Sequence, residues 1–110
     1  VNTVTVLLTL LLAAALEAGG DALVRAGLQS GSPLTRGLFF TLGAAVLFGY
    51  GYTVNVPAWD FGRLLGVYVV FFFVVAQLIS WLAFHQKPGN GVIVGGAFIL
   101  IGGGIVTFMR

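Results

Sequence analysis

Apolar residues run along this chain in four nearly unbroken blocks, separated by three short polar breaks: "QSGSP" around residue 31, "NVPAWD" around 57 and "HQKPGN" around 87. A hydrocarbon core about 30 Å thick needs roughly 20 helical residues to cross it, and each block has that length. The pattern predicts membrane-spanning helices over about 4–25, 36–54, 63–84 and 91–109. Gly31-Ser32-Pro33 supplies turn chemistry for the first break. Pro57, an interfacial Trp59 and Asp60 at an N-cap position start the third helix near Phe61. Strands of a membrane barrel would alternate apolar and polar positions over about ten residues, whereas these blocks are continuous.

Composition excludes the other solvents. The 110 residues are 59% hydrophobic and 7% charged, with a mean hydropathy of +1.09. A soluble domain carries about 25% charged residues, so the expectation is a membrane protein: one all-α domain over 1–110, a four-transmembrane-helix bundle. Short connectors make it an up-down bundle with both termini on one side of the membrane. The amino-terminal stretch lacks a basic n-region and a small-x-small cleavage pattern, so it reads as a retained span and not as a signal peptide.

The net charge is +2, and Arg25, Arg36, Arg63, Lys87 and Arg110 stand singly. There is neither a nucleic-acid patch nor a polybasic lipid-binding cluster. One side of the bundle receives Arg25, Arg36 and Lys87, the other Arg63 and Arg110, which is a weak orientation bias. The chain has no cysteine and one histidine, His85, at a helix end. That inventory supports no metal site, no nucleophile-base pair and no cofactor, so an enzyme is not expected.

Seventeen glycines fit a chain whose helices approach closely, since small residues bring backbones together in lipid. In the fourth helix Gly91, Gly95 and Gly102, with neighbouring Gly96, Gly103 and Gly104, mark a stripe at spacings of four and seven. Packing within the chain and a dimer seam are both open readings. Four helices form a thin bundle around any substrate, so assembly of at least two chains is expected.

The ionisable groups of the first span ask for a function. "LEAGGDALVRAG" places Glu17, Asp21 and Arg25 one turn apart on one face. At 1.5 Å per residue Glu17 lies roughly 20 Å into the span. A carboxylate at the bilayer centre costs at least ~2.5 kcal/mol, and such acids mark proton and ion pathways. Glu17 is therefore the first candidate for proton and substrate binding. The competing reading is a ladder of i, i+4 ion pairs through Asp21 to Arg25, with Arg25 snorkelling to the interface. Tyr50, Tyr52, Tyr68 and Trp81 offer faces to a cation, although Tyr52 and Trp59 read more simply as interface anchors. Tyr68, Gln77 and Ser80 fall inside the third span, and Tyr68 is the first choice as a cavity wall.

Three motifs together resemble the small multidrug resistance transporters, over almost the whole chain. "AALEAGGDALVRAG" is similar to that family's "AE..G....K" stretch, with Glu17 on its essential acid and Arg25 on the basic residue eight positions later. "LISWLAFHQK" is similar to its "SW.FFGQ" ending, with Ser80 and Trp81 on the Ser-Trp pair. Gly95 and Gly102 fall on its fourth-helix glycine pair. The resemblance implies an antiparallel, dual-topology homodimer in a bacterial-type inner membrane, a multi-pass antiporter in which two Glu17 carboxylates share one pocket and hold either protons or a cationic substrate. Gly95 and Gly102 would make the dimer contact, and Tyr68, Asp21, Trp81 and Ser80 would complete the site. Elsewhere the third helix departs from the family: the family's Tyr, Trp and hinge places hold Leu65, Tyr68 and Val70-Phe71-Phe72, and Asp21 is an added acid.

Proton-coupled export of small organic cations is the function these observations favour. Two alternatives remain open at this stage. One is transport or flipping of a zwitterionic, anionic or lipid-linked metabolite, using Asp21 and Arg25. The other is a structural membrane protein in which the charges only hold helices together.

Overall fold

The polar breaks end the helices by identifiable chemistry. In the computed structural model, which describes residues 2–109, the chain forms α1 (Thr3–Gln29), α2 (Pro33–Val54), α3 (Phe61–Phe84) and α4 (Asn90–Phe108). All four are long and apolar enough to cross a membrane. Asn2 caps α1 by accepting from the Thr5 N–H at 2.8 Å. Ser32 caps α2 the same way through Thr35 at 3.4 Å, with Pro33 in the first turn, where its missing N–H costs nothing. Asp60 is the residue before α3, but its side chain makes no capping bond.

The largest departures from the ranges set by the apolar pattern flank the first break: α1 runs on to Gln29 and α2 begins at Pro33. Ser32 and Pro33 start α2 early, and Arg36 supports the longer α1 by folding back and donating to the carbonyls of Gly27, Leu28 and Ser30, each at 3.2 Å. A guanidinium with several donors satisfies carbonyls that the end of a helix leaves open. Arg63 does the same for α4, donating to Val106 at 3.4 Å and Thr107 at 2.9 Å while lying 4.1 Å over the Trp59 ring. Arg110, placed at the interface by the sequence, lies outside the described residues.

The helices stand in an open row instead of a round bundle. α1 packs against α2 on one side and α3 on the other, and α4 packs against α3, giving Cα extents of 50 × 34 × 18 Å. Small residues on α1 explain the middle of the row. Gly20 and Gly27 lie against Leu47 and Phe40 of α2, so closely that a β-carbon at either would come within 2.7 Å of those side chains. Gly43 answers from α2, where a β-carbon would stand 3.2 Å from the Gly20 carbonyl oxygen. On α4 the glycines divide between two faces. Gly96 and Gly103 receive Phe73 and Val70 of α3, while Gly91, Gly95 and Gly102 face open space. The single stripe read from the sequence is therefore two lines about 100° apart, as adjacent helical positions must be, with Gly104 another 100° beyond Gly103 and on neither.

The core lies between α1 and α3, at one end of their lengths. Val6, Leu10, Ala13 and Ala14 of α1 meet Leu64, Val67 and Tyr68 of α3 and Val54 of α2. Towards the α1–α2 and α3–α4 connectors, among the described residues, no comparable cluster of buried residues closes the gap between α1 and α3.

Candidate functional site

The closed core ends at a polar pair. Glu17, midway along α1, accepts a hydrogen bond from the Tyr68 hydroxyl at 2.6 Å. The same hydroxyl lies 3.5 Å from the Ala13 carbonyl oxygen. Tyr68 is only 5% exposed, held by Tyr50 of α2 at 5.5 Å between ring centroids and by Phe72 at 6.2 Å. The acid of α1 and the tyrosine of α3, which the sequence singled out separately, thus form one unit, with an aromatic on either side.

Beyond this pair α1 and α3 part to leave a cleft of about 200 Å³. Its α1 wall carries Asp21 and Arg25, and its α3 wall includes Phe72, Ser80 and Phe84. Among the described residues no arginine or lysine nitrogen lies within 4.0 Å of a carboxylate, so the ladder from Glu17 through Asp21 to Arg25 does not form. Arg25 stands 5.4 Å from the centre of the Phe84 ring instead, a cation–π contact across the cleft.

The remaining expected site residues are placed as follows. Ser80 borders the cleft, but its hydroxyl turns to the α3 end, 3.4 Å from the Gln86 carbonyl oxygen and 3.3 Å from its side-chain oxygen. Trp81 is 47% exposed and is not part of the cleft wall. Gly95 and Gly102 lie on the open face of α4. The structure adds Tyr50 and Phe72 to the surroundings of Tyr68. Tyr50 carried a signal, being a tyrosine inside a span and not at its edge, whereas Phe72 is indistinguishable in sequence from its phenylalanine neighbours.

The arrangement can do specific chemistry. A carboxylate in a membrane span, bonded to a neutral hydroxyl and free of a cationic partner among the described residues, retains capacity to accept a proton or a cation. Its remaining oxygen lone pairs and the aromatic faces beside it are the groups with which a protein holds an organic cation. Among the described residues no group of histidines and carboxylates has metal-ligand geometry.

Three relatives are similar to this chain. A UPF0060 membrane protein of Halalkalibacterium halodurans is 34% identical over 99 residues, 89% of each chain. One of Clostridium perfringens is 33% identical over 100 residues, 89% of this chain and 87% of that one. One of Herpetosiphon aurantiacus is 35% identical over 72 residues, 64% of this chain and 66% of its own. No family model matches the chain. No solved structure matches it either. With four apolar helices and relatives of this similarity along most of its length, the chain is a multi-pass membrane protein and belongs to the UPF0060 membrane protein family.

Proposed function

We infer that two copies of this chain form a proton-coupled antiporter that exports small organic cations by alternating access, and that it is a transporter and not an enzyme. The observation that carries this reading is Glu17: a carboxylate midway along a membrane span, bonded to Tyr68 at 2.6 Å, next in the chain to Ala18 of the cleft wall between α1 and α3. Proton and cation compete for the same oxygens, so loading one releases the other, which is the exchange that antiport requires. The motifs around Glu17, Ser80-Trp81 and Gly95/Gly102 resemble the small multidrug resistance transporters and support the same mechanism. Pairing of two copies is supported by the open row, which leaves the Gly95 and Gly102 face of α4 uncovered, as a close helix–helix contact in lipid would use.

The test is transport in proteoliposomes under an imposed pH gradient, with quaternary ammonium, guanidinium and polyamine compounds as cargo. The unaltered protein moves at least one of them against the proton gradient, and Glu17→Gln abolishes the movement. Equal rates in the two proteins overturn the assignment.

A further inference from the structure

The cleft beyond Glu17 carries two opposite charges that do not neutralise each other. Asp21 and Arg25 are one helical turn apart on α1, a spacing at which such side chains ordinarily pair. Here both border the cleft, and the guanidinium is drawn across to Phe84 at 5.4 Å. Among the described residues neither side chain has a hydrogen-bond or ion-pair partner. The other polar group of the wall, the Ser80 hydroxyl, is engaged with Gln86. A negative and a positive pole thus border one small space, on side chains whose β-carbons stand about 5–6 Å apart on the helix face.

A simple cation gains from Asp21 but meets repulsion from Arg25, and a simple anion meets the reverse. Only a molecule bearing both charges a few bonds apart satisfies the two poles together. The volume of about 200 Å³ is below the 300–1,000 Å³ of pockets for drug-sized ligands, which restricts the occupant to a small metabolite. Arg25 adds direction, because its planar fork pairs with a carboxylate through two parallel hydrogen bonds.

We propose that this cleft selects small zwitterions, with the cationic group of the ligand on the Asp21 carboxylate and its anionic group on the Arg25 guanidinium. The ligand's being cargo rests on the transporter reading above and narrows its organic cations to those that also carry an anionic group, whereas its binding does not require Glu17 to exchange a proton. Asp21 and Arg25 are then specificity-determining residues placed ahead of the Glu17–Tyr68 pair.

Three probes of nearly the same shape test this by calorimetric titration of the full chain in detergent. Glycine betaine has both charges, tetramethylammonium lacks the carboxylate, and 3,3-dimethylbutyrate replaces the quaternary nitrogen with carbon. Glycine betaine is expected to bind about tenfold tighter than either single-charge probe, the gain of one charge-assisted contact. Arg25→Gln should weaken glycine betaine and dimethylbutyrate while tetramethylammonium binds as well or better. Asp21→Asn should do the opposite, weakening glycine betaine and tetramethylammonium and sparing dimethylbutyrate. In each variant the spared probe shows that the protein is folded, and if a variant does not fold the ranking of the three probes on the unaltered protein decides.

Tetramethylammonium binding as tightly as glycine betaine, or no binding of glycine betaine at millimolar concentration, overturns the proposal. So does an Arg25→Gln protein that keeps its preference for glycine betaine. Glu17→Gln separates the two readings. If transport is insensitive to it while glycine betaine keeps its advantage, the antiport mechanism fails and the zwitterion site stands; if transport is lost and the advantage was never present, the reverse holds.

Discussion

The two ends of the α1–α3 pair differ more than their sequences do. At one end Val6, Leu10, Ala13 and Ala14 interlock with Leu64, Val67 and Tyr68. At the other, Ala18, Asp21, Ala22 and Arg25 look across a cleft at Phe72, Ala76 and Phe84. Both ends are rich in alanine and large apolar residues, and both lie in helices that a hydropathy scale scores alike. Close packing therefore needs matched shapes, and it stops where α1 places its first acid. Glu17 and Tyr68 occupy that boundary, so the hydrogen bond between them joins the part of the molecule that is fixed to the part that is open.

Deleting side-chain volume at each end gives the largest contrast. Leu10 is 0% exposed, and Leu10→Ala should lower stability by about 2–3 kcal/mol through lost packing contacts. Ile79 borders the cleft, and Ile79→Ala should cost about 1 kcal/mol or less, since a neighbour is already missing on one side. Unfolding in mixed micelles measures both. Equal losses would mean that the two ends are packed alike and that the contrast drawn above is wrong.

A smaller change addresses the boundary itself. Tyr68→Phe keeps the ring between Tyr50 and Phe72 and removes only the donor to Glu17, so it should destabilise by about 1.5 kcal/mol, the worth of a hydrogen bond to a charged group. Exchange should slow about tenfold under the same substrate and pH gradient. A variant that is less stable but transports at the original rate would restrict the bond to a structural role.

The smallest effect lies at the cleft mouth. His85 ends α3 with φ 57° and ψ 34°, the left-handed region that costs a residue with a β-carbon about 1 kcal/mol or more and that glycine adopts freely. His85→Gly should raise stability by about 0.5–1 kcal/mol without changing the loading of Glu17. A loss of stability instead would show that the imidazole makes a contact that outweighs the strained backbone.

Much of this fold is legible in the sequence. The four spans follow from apolar runs long enough to cross a bilayer, and Glu17 follows from the cost of placing a carboxylate among them. Tyr68 was readable too, as a tyrosine too deep in its span to serve as an interface anchor. The ends at Val54 and Phe84 were legible as well, but those flanking the first break were not, because hydropathy ignores caps: Ser32 and Pro33 start α2 ahead of its first apolar run, and Arg36 supports a longer α1. Periodicity could not separate the glycines of α4 that receive Phe73 and Val70 from those that face outward, because the partner's side chains make that distinction. Nor does a spacing of four tell whether two charges pair: Asp21 and Arg25 have the spacing of a salt bridge, and an aromatic ring on another helix draws the arginine away.

The attachment of α4 has a mechanical consequence. Phe73 and Val70 sit in the notches of Gly96 and Gly103, and Arg63 grips the Val106 and Thr107 carbonyls at the foot of the helix. Held at three heights, α4 tilts as a rigid lever with α3. A change in the width of the cleft that moves α3 would therefore carry the outward glycine face of α4 with it.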